Sequence, residues 1–418
     1  MQADNYVLFV SISKYLDYYV NLVHRLGHKV ILLSRKIDMD ALIMVDIPVE
    51  IELNDKELVM QKVKELRNKF NICAVFTTNE YRVPLAKEIA VLLGLAHPAD
   101  LDAVLKCRNK KLTREKLADK RISPVRYQVV TCSCSAKKFA SEIGYPVVVK
   151  PSNDSGSRDV FCCRNEAELI EAFNIITNTK VNHVNEKLDS DIIVEEFLEG
   201  PEFSVEAGTD DEKTVIYSIT AKMTTPLPYA VEIGHLSPAR LEPLIKQQIE
   251  DLVRQAIDAI GLRRCVTHTE VKFTPNGPRI VEVNARPGGD EIPRLVHLTT
   301  GYDIRQIALY LALGYSLEEM PRDSIVARSA AIRFFTSEMD GEVMKFYPDN
   351  IKDNSHVLEL EFYVSPGDYV TKTVDNFSRL GHIICYDPDG EMADQLVNAL
   401  AEQVQIIINP KAKGGCIC

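Results

Sequence analysis

Residues 269–289 read TEVKFTPNGPRIVEVNARPGG, and this stretch decides the fold. Two segments with alternating apolar residues flank a Pro-Asn-Gly-Pro turn, so we predict a β-hairpin. Glu282 and Asn284 are two residues apart on the second strand and therefore share one face of the sheet. Acidic groups on an otherwise apolar strand are costly unless they are paired or bind a cation. The stretch therefore predicts a cation site on this hairpin.

Glu270 on the first strand completes a set of three oxygen ligands with Glu282 and Asn284. Carboxylate and amide oxygens suit Mg²⁺, with Mn²⁺ as a substitute. The two carboxylates share a face only if they lie directly opposite each other. A plain two-residue turn at Asn276-Gly277 would point them apart, so the site requires a three- or five-residue loop or a bulge. The alternative is a solvated hairpin face that binds no metal.

A second motif lies at residues 147–157, where the apolar strand VVVKP runs into the loop SNDSGS. Small residues allow backbone N–H groups to face a phosphate chain, and Lys150 supplies a positive charge at the strand end. Strand, lysine and small-residue loop together predict a polyphosphate site. The alternative is an ordinary strand end, since many strands end in lysine.

A third motif is the stretch EEFLEGPE at residues 195–202, where an apolar strand breaks into acidic residues. Such a hinge offers backbone donors and acceptors that match the edge of an adenine ring. A carboxylate a few residues further on, Glu202, suits ribose hydroxyls. The alternative is a solvated turn.

Composition bounds the function classes. The chain has 418 residues and a formal net charge of −11, which disfavours nucleic-acid binding as the main role. No segment approaches the roughly 20 consecutive apolar residues of a membrane span. The ten cysteines lack the spacing of a zinc site or a disulfide scaffold, so we expect reduced thiols in a cytoplasmic protein.

The first hundred residues alternate short apolar strands with amphipathic helices, which predicts a parallel, doubly wound sheet. No G-x-G-x-x-G follows the first strand, so a dinucleotide site there is unsupported. The chain after Pro321 consists mostly of short strands with one amphipathic helix, Met392–Val404.

Lys150, the small-residue loop, the acidic hinge and the Glu…Glu-x-Asn set occur in this order over about residues 100–300. In order and spacing they resemble the ATP-grasp superfamily of ATP-dependent carboxylate–amine ligases. The resemblance implies an α/β fold, α+β in part, with an N-terminal Rossmann-like domain at residues 1–105. It further implies a small central lobe at 106–200, a large lobe with the metal site at 201–318, a mostly β C-terminal extension at 319–410 and a mobile tail at 411–418.

The resemblance also implies the nucleotide-binding residues. The segment Cys107-Arg108-Asn109-Lys110 looks like the family's Asp-Lys segment, so Lys110 and Lys150 would be its two nucleotide lysines. The remaining ATP-binding residues would be Ser155, Gly156 and Ser157 at the phosphates, Glu195, Glu196, Phe197 and Leu198 at adenine, and Glu202 at ribose. Glu270, Glu282 and Asn284 would hold Mg²⁺. Two positions depart from the family: Asn109 replaces an aspartate, and Asp159 replaces a glycine and would repel the phosphates unless it turned away.

Residues 229–239, YAVEIGHLSPA, and residues 284–289, NARPGG, are similar to the L-amino acid ligases, which join two L-amino acids into a dipeptide. The similarity implies that MgATP phosphorylates a small-molecule carboxylate, and that an amine then attacks the acyl phosphate. Relatives imply a homodimer.

Six residues are candidates for the substrate end. Arg286 follows the metal strand and is expected to stabilise the acyl phosphate and the oxyanion. His235 would orient the substrate carboxylate, and together with Lys150 and Arg286 it forms the predicted catalytic set. The remaining substrate-binding candidates are Glu80 and Glu232 for an ammonium group and Gly288 and Gly289 for a carboxylate. Solvated or structural roles remain open for His235 and Glu80, and Gly288 and Gly289 could simply form a turn. His268 shares the face of Glu270, so it lies near the metal or is simply packed, and we favour packing.

Two other functions remain open at this point. One is an ATP-grasp ligase that acts on a carboxylate other than an amino acid. The other is a non-catalytic ATP-binding protein, which the complete set of metal ligands argues against.

Overall fold

The N-terminal region forms a parallel sheet, as the alternation of strands and helices predicts. The computed structural model describes residues 4–12, 14–95, 98–227, 229–347 and 351–410, so the predicted mobile tail at 411–418 lies outside the described residues. The strands are β1 (Asn5–Val10), β2 (Lys29–Ser34), β3 (Ile47–Glu50) and β4 (Asn71–Phe76), in the order β3-β2-β1-β4. The helices are α1 (Leu16–Arg25), α2 (Met39–Met44), α3 (Lys56–Arg67) and α4 (Val83–Leu93).

This sheet is covered on both faces because successive side chains of a strand point in opposite directions. Val7 and Phe9 pack with residues of α1 in one hydrophobic core. Leu8 and Val10 pack with residues of α3 and α4 in a second core. The doubly wound arrangement predicted from the sequence is therefore confirmed.

A helical bridge leads into a small antiparallel lobe. The bridge is α5 (Pro98–Arg108) and α6 (Lys110–Asp119), with the Asn109 side chain capping α6. The lobe contains β5 (Tyr127–Val130), α7 (Ser133–Ile143), β6 (Val147–Pro151), β7 (Phe161–Cys163), α8 (Glu166–Asn178) and β8 (Ile192–Glu196). Its strands lie in the order β5-β8-β6-β7. We call this segment, residues 127–196, the lid lobe.

An eight-stranded antiparallel sheet dominates the rest of the chain. The elements are β9 (Glu202–Thr209), β10 (Thr214–Thr224), β11 (Glu232–Ser237), α9 (Pro243–Ile260), β12 (Cys265–Thr274), β13 (Gly277–Asn284), α10 (Ile292–Thr300), α11 (Ile304–Ala312), β14 (Ser329–Phe335), β15 (Gly341–Tyr347), β16 (Val357–Phe362), β17 (Tyr369–Val370), β18 (Gly381–Asp387), α12 (Ala393–Ala401) and β19 (Gln405–Asn409). The large sheet has the order β13-β12-β9-β10-β11-β14-β18-β16, and β17-β15-β19 form a separate sheet.

The C-terminal segment is thus continuous with the large lobe. β14 pairs with β11, so the boundary predicted at residues 318/319 lies between two paired strands. The segment also has a core of its own, in which α12 packs against the strands. No helix in the described ranges is both long and apolar enough to cross a membrane.

Candidate active site

A cavity of about 960 Å³ is lined by residues of the N-terminal region, the lid lobe, the large sheet and the C-terminal segment. Its wall brings together nearly all of the predicted site residues: Glu80, Lys110, Lys150, Ser155, Gly156, Ser157, Glu195, Glu196, Phe197, Leu198, Glu202, Glu232, Glu270, Glu282, Asn284, Arg286, Gly288 and Gly289. His235 is the exception among the predicted residues, since it does not reach the wall.

The predicted hairpin is present, and its register places the two carboxylates on one face. Thr274 pairs with Gly277 across the turn, so the loop has only two residues, Pro275 and Asn276. A bulge at Val281 then shifts the register, and Glu270 lies directly opposite Glu282. The sequence predicts that a longer loop or a bulge is needed to bring Glu270 and Glu282 onto one face, and the bulge meets this condition.

The three oxygen-bearing residues fit a divalent cation. The buried Asn284 Oδ1 has no hydrogen-bond partner, which is costly unless a ligand supplies one. Burial alone would raise the pKa of Glu270, but Lys222 and His268 hold it well below its usual range. The site therefore offers an anionic carboxylate at Glu270, the Glu282 carboxylate opposite it and an unpaired amide oxygen, the donor set that Mg²⁺ prefers.

The two predicted nucleotide lysines both lie on the cavity wall. Lys110 Nζ is 2.7 Å from the Asp154 carbonyl oxygen and 3.2 Å from Glu282 Oε1. Lys150 is buried and forms an ion pair with Glu195, which also accepts a hydrogen bond from Arg114 Nε at 2.9 Å. Burial lowers the pKa of Lys150. Burial would raise the pKa of Glu195, but Arg114 and Lys150 lower it to about 2.

Arg114 was missed by sequence reasoning, although it fixes the hinge. Its guanidinium spans from Glu195 on β8 to the carbonyl oxygens of Ile280 and Val281 on β13, at 2.6 and 3.2 Å. The carboxylate of Glu195 is therefore already bound by protein groups, and its backbone remains the part suited to an adenine edge. Next to it, Phe197 lies under the Lys272 ammonium, 5.3 Å from the ring centre.

The loop after Lys150 adopts the conformation expected of a phosphate-binding turn. Gly156 has a φ of +70°, and Ser157 and Asp159 also have positive φ values of 58° and 56°. Asp159 is absent from the cavity wall and lies 3.8 Å from Arg158 Nε, so its carboxylate is turned away from the predicted phosphate path. This placement removes the repulsion that the departure from the family pattern implied.

Lys222 on β10 is a second residue that sequence reasoning missed. It is only 3% exposed in its side chain, and its Nζ lies 2.7 Å from Glu202, 3.2 Å from Glu270 and 3.4 Å from Glu232. One buried cation thus neutralises three carboxylates assigned by prediction to ribose, metal and substrate. A single lysine on a strand that reads SITAKMT gives no signal of this role.

A second group of cavity residues is built around Arg286, two residues after Asn284. Its guanidinium forms a close ion pair with Glu80, and Arg108 Nε lies 4.0 Å from the same carboxylate. Burial would raise the pKa of Glu80, but Arg286 and Arg108 lower it, so the carboxylate is anionic. The Gly288 N–H donates to Glu206 Oε2 at 3.0 Å, so this amide is not free for a substrate carboxylate. A Cβ at Gly289 would meet nothing within 4 Å, so this backbone is open to a ligand.

The expectation that His235 contacts substrate directly needs correction. The imidazole is fully buried, and its Nε2 lies 3.4 Å from both Glu232 Oε2 and Asp290 Oδ2. Asp290 in turn accepts hydrogen bonds from both terminal nitrogens of Arg379, each at 2.7 Å. His235 therefore positions two carboxylates of the wall from behind, and Asp290 and Arg379 are functional candidates that the sequence did not reveal.

His268 is not simply packed, contrary to expectation. Its Nδ1 lies 2.5 Å from the buried Glu206 and its Nε2 lies 3.5 Å from Glu270 Oε1. Burial alone would lower the pKa of His268, but Glu206 outweighs it and raises the value to about 10. The charged imidazole therefore helps to hold Glu270, a member of the predicted metal-ligand set, in position.

Comparison with known proteins agrees with this geometry. Residues 143–293 match the model of the ATP-grasp domain, and residues 333–409 match the L-amino acid ligase C-terminal domain 2. The uncharacterized protein y4rH of Sinorhizobium fredii is 28% identical over 94% of this chain and 80% of its own length. Dapdiamide A synthase of Enterobacter agglomerans is 24% identical over 78% of each chain.

A solved structure matches over nearly the whole length. The crystal structure of L-amino acid ligase from Bacillus licheniformis superimposes with a TM-score of 0.84, covering 98% of this chain and 100% of that one, at 23% identity. This likeness establishes the ATP-grasp fold. The two matched domains show that the chain combines an ATP-grasp domain with the C-terminal domain of L-amino acid ligases, the architecture of an ATP-dependent ligase.

Proposed function

We propose that the protein joins the carboxylate of one L-amino acid to the amino group of another and forms a dipeptide, with conversion of ATP to ADP and phosphate. The observation that carries this proposal is the joint presence, in one cavity, of two groups of residues. The oxygen ligand set and the two lysines form what we call the nucleotide end, and Arg286 with Glu80 and Glu232 forms what we call the substrate end. The two ends adjoin at Lys222, which contacts both Glu270 and Glu232. A cavity of about 960 Å³ is large enough for a nucleotide and small substrates together.

The nucleotide end neutralises and positions the phosphates. Lys110 and Lys150 supply fixed positive charge, and the loop Ser155-Gly156-Ser157 supplies backbone amides near the phosphate path. Phe197 and Leu198 contact adenine, and Glu202 binds ribose. Glu270, Glu282 and Asn284 hold Mg²⁺ or Mn²⁺, whose charge offsets the charge that develops on the phosphoryl oxygens.

The chemistry proceeds through an acyl phosphate. A carboxylate oxygen attacks the γ-phosphorus, and the bond between this phosphorus and the bridging oxygen of ADP breaks. The amine of the second substrate then attacks the acyl carbon, the C–O bond to phosphate breaks, and the amine loses a proton. Amide, ADP and phosphate are the products, and the oxygen that joined the phosphorus leaves with the phosphate.

The substrate end orients the two reacting groups. Arg286 stabilises the acyl phosphate and the oxyanion of the tetrahedral intermediate. Glu232 and Glu80 attract a substrate ammonium, and Glu232 has the weaker existing partners, at 3.4 Å from both Lys222 and His235. His235 is a positioning residue that fixes Glu232 and Asp290 without contacting the substrate.

The proposal includes a cytoplasmic homodimer. Size-exclusion chromatography with light scattering measures the oligomeric state of the purified protein.

The test of the proposed function is phosphate release with MgATP across the twenty L-amino acids, singly and in pairs, with mass spectrometry of the products. We expect phosphate release that requires a pair and yields the corresponding amide. Bound ATP without release for any pair would contradict the dipeptide assignment, and carboxylates other than amino acids would then be screened with the same assay.

A further inference from the structure

Phe377 lies in an unusual position for a large apolar side chain. It is 63% exposed, yet its ring faces the cavity and contacts the lid lobe. The ring centre lies 4.6 Å from that of His183, and the ring edge abuts Gly156 in the predicted phosphate loop. The C-terminal segment therefore makes an apolar contact with the loop expected to cover the triphosphate.

The contact with Gly156 is tight. A Cβ at this position would lie 2.9 Å from two atoms of the Phe377 ring, closer than a side-chain atom can approach. A larger residue at this position would require the ring to move, and the φ of +70° independently favours glycine. Ring and loop are complementary in shape at this point.

Phe377 is presented by a rigid turn. The Asp375 carboxylate accepts hydrogen bonds from the backbone amides of Phe377 and Ser378, at 3.0 and 2.8 Å. The Asn376 side chain accepts from the Glu232 amide at 3.1 Å, and Arg379 binds Asp290. The turn is thus fastened to the same wall that carries the substrate end, so the backbone that carries Phe377 is held in place relative to that wall.

The N-terminal region contacts the lid lobe close to His183. Arg82 forms an ion pair of 2.8 Å with Glu186, and the Asn54 side chain donates to the Val184 carbonyl oxygen at 2.9 Å. These contacts hold segment 183–186, whereas Phe377 also reaches the phosphate loop. The N-terminal region also holds the phosphate loop through Tyr81, whose hydroxyl donates to Asp154 Oδ1 at 3.1 Å, and Phe377 adds an apolar contact at Gly156 in the same loop.

We propose that Phe377 is a positioning residue that holds the loop at Gly156 closed over the nucleotide and so keeps water from the activated carboxylate. The inference rests on the proposed ligase function. With the loop released, water attacks the acyl carbon, the C–O bond to phosphate breaks, and the products are the free acid and phosphate. ATP is then consumed without amide formation, and ADP leaves the site sooner.

The test compares Phe377→Ala, Phe377→Leu and Phe377→Tyr with the full-length parent protein. Two quantities are measured: the dissociation rate of the fluorescent probe mant-ADP in the presence of Mg²⁺, and the ratio of phosphate released to amide formed. Tyr347→Ala is the matched control, because Tyr347 is a partly exposed aromatic residue of the same segment that does not line the cavity.

We expect Phe377→Ala to accelerate mant-ADP dissociation about tenfold, because the loop loses much of one aromatic contact. In Phe377→Ala the ratio of phosphate released to amide formed rises above one. Phe377→Tyr keeps the parental dissociation rate and ratio, and Phe377→Leu gives values between those of the parent and Phe377→Ala. Tyr347→Ala leaves both quantities unchanged. A folded Phe377→Ala protein with both quantities within about twofold of the parent would overturn the inference, and if that variant does not fold, Phe377→Leu values equal to those of the parent would do so. If the parent forms no amide, the proposed function fails, whereas mant-ADP dissociation still tests the role of Phe377.

Discussion

The two ends of the cavity are built in different ways. At the nucleotide end, all three predicted metal ligands come from one hairpin, and the pairing of β12 with β13 sets their relative positions. At the substrate end, Glu80, Glu232, Asp290 and Arg379 come from four separate parts of the chain. The metal-ligand set is fixed by local backbone geometry, whereas the substrate end depends on correct packing of the N-terminal and C-terminal regions against the large sheet.

The charges at the two ends also differ. At the nucleotide end, the buried amide oxygen of Asn284 has no hydrogen-bond partner, so it can accept a cation without breaking an existing bond. At the substrate end, Arg286 already binds Glu80 and Arg379 already binds Asp290. Such pairs hold charged groups in fixed orientations before substrate arrives, which lowers the cost of ordering them during the reaction. Substitutions at the two ends should therefore affect different kinetic constants.

The largest effect is expected from Glu282→Gln, which tests the nucleotide end. The change removes one anionic ligand while preserving side-chain size, so we expect amide formation to fall about 1000-fold. Mn²⁺ binding in the presence of ADP, followed by electron paramagnetic resonance, should weaken in parallel. Glu250→Gln is the control, because the Glu250 side chain on α9 is as buried as that of Glu282 and is also ion-paired, yet it does not line the cavity. Unaltered Mn²⁺ binding would remove Glu282 from the metal-ligand set.

Arg286→Lys tests whether the substrate end can fail separately. Lysine retains the charge but not the planar donor geometry of guanidinium, so we expect kcat to fall about 100-fold. Binding of MgADP, measured by calorimetry, should remain within about threefold of the parent protein. An equal loss of nucleotide affinity would contradict the separation of the two ends.

Glu195→Gln tests how much the buried ion pair of Glu195 stabilises the fold, through the pH dependence of the free energy of unfolding. The folded-state pKa of Glu195 is about 2, below its ordinary value of 4.5, so the carboxylate stabilises the fold above pH 4.5 and loses this contribution as pH falls through about 2. The variant should be less stable at pH 7 by about 3 kcal/mol. Urea unfolding between pH 7 and pH 2 measures the difference, which should shrink as the pH falls. A difference that is constant with pH would show that the ion pair is not its source.

The smallest effect is expected from Asp290→Asn, which weakens the link between the large sheet and the C-terminal segment. Loss of the charge paired with Arg379 should raise the KM of the amine substrate about tenfold. Asp394→Asn provides a matched control, since Asp394 pairs with Arg240 away from the cavity. A comparable rise in KM for the control would assign the effect to general loosening of the segment.

The contrast between the ends explains what the sequence could predict. The set Glu270, Glu282 and Asn284 follows from strand periodicity and from the register condition, which the bulge at Val281 satisfies. Lys150 and the loop after it form a short motif whose chemistry is readable from neighbouring residues, whereas Lys110 is predicted only through the family resemblance. The parallel N-terminal sheet likewise follows from the alternation of strands and helices.

The remaining residues act through partners that are distant in sequence. The sequence around Lys222 gives no signal of its role, which arises only because three other strands place Glu202, Glu232 and Glu270 around its ammonium group. Arg379 and Asp290 are separated by almost a hundred residues, and no local pattern links them. His235 was assigned a direct contact because its motif suggested one, whereas the fold buries it behind Glu232 and Asp290. Burial and long-range pairing are tertiary properties that periodicity does not encode.

The most direct test of the central claim, that the cavity activates a carboxylate for attack by an amine, follows the oxygen atoms. The parent protein is supplied with MgATP, an L-amino acid whose carboxylate carries ¹⁸O at both positions, and a second L-amino acid identified by the pairwise screen. Mass spectrometry then measures the isotope content of the phosphate and of the amide. An acyl phosphate predicts one ¹⁸O in each phosphate and one in each amide, and phosphate without ¹⁸O would contradict the account.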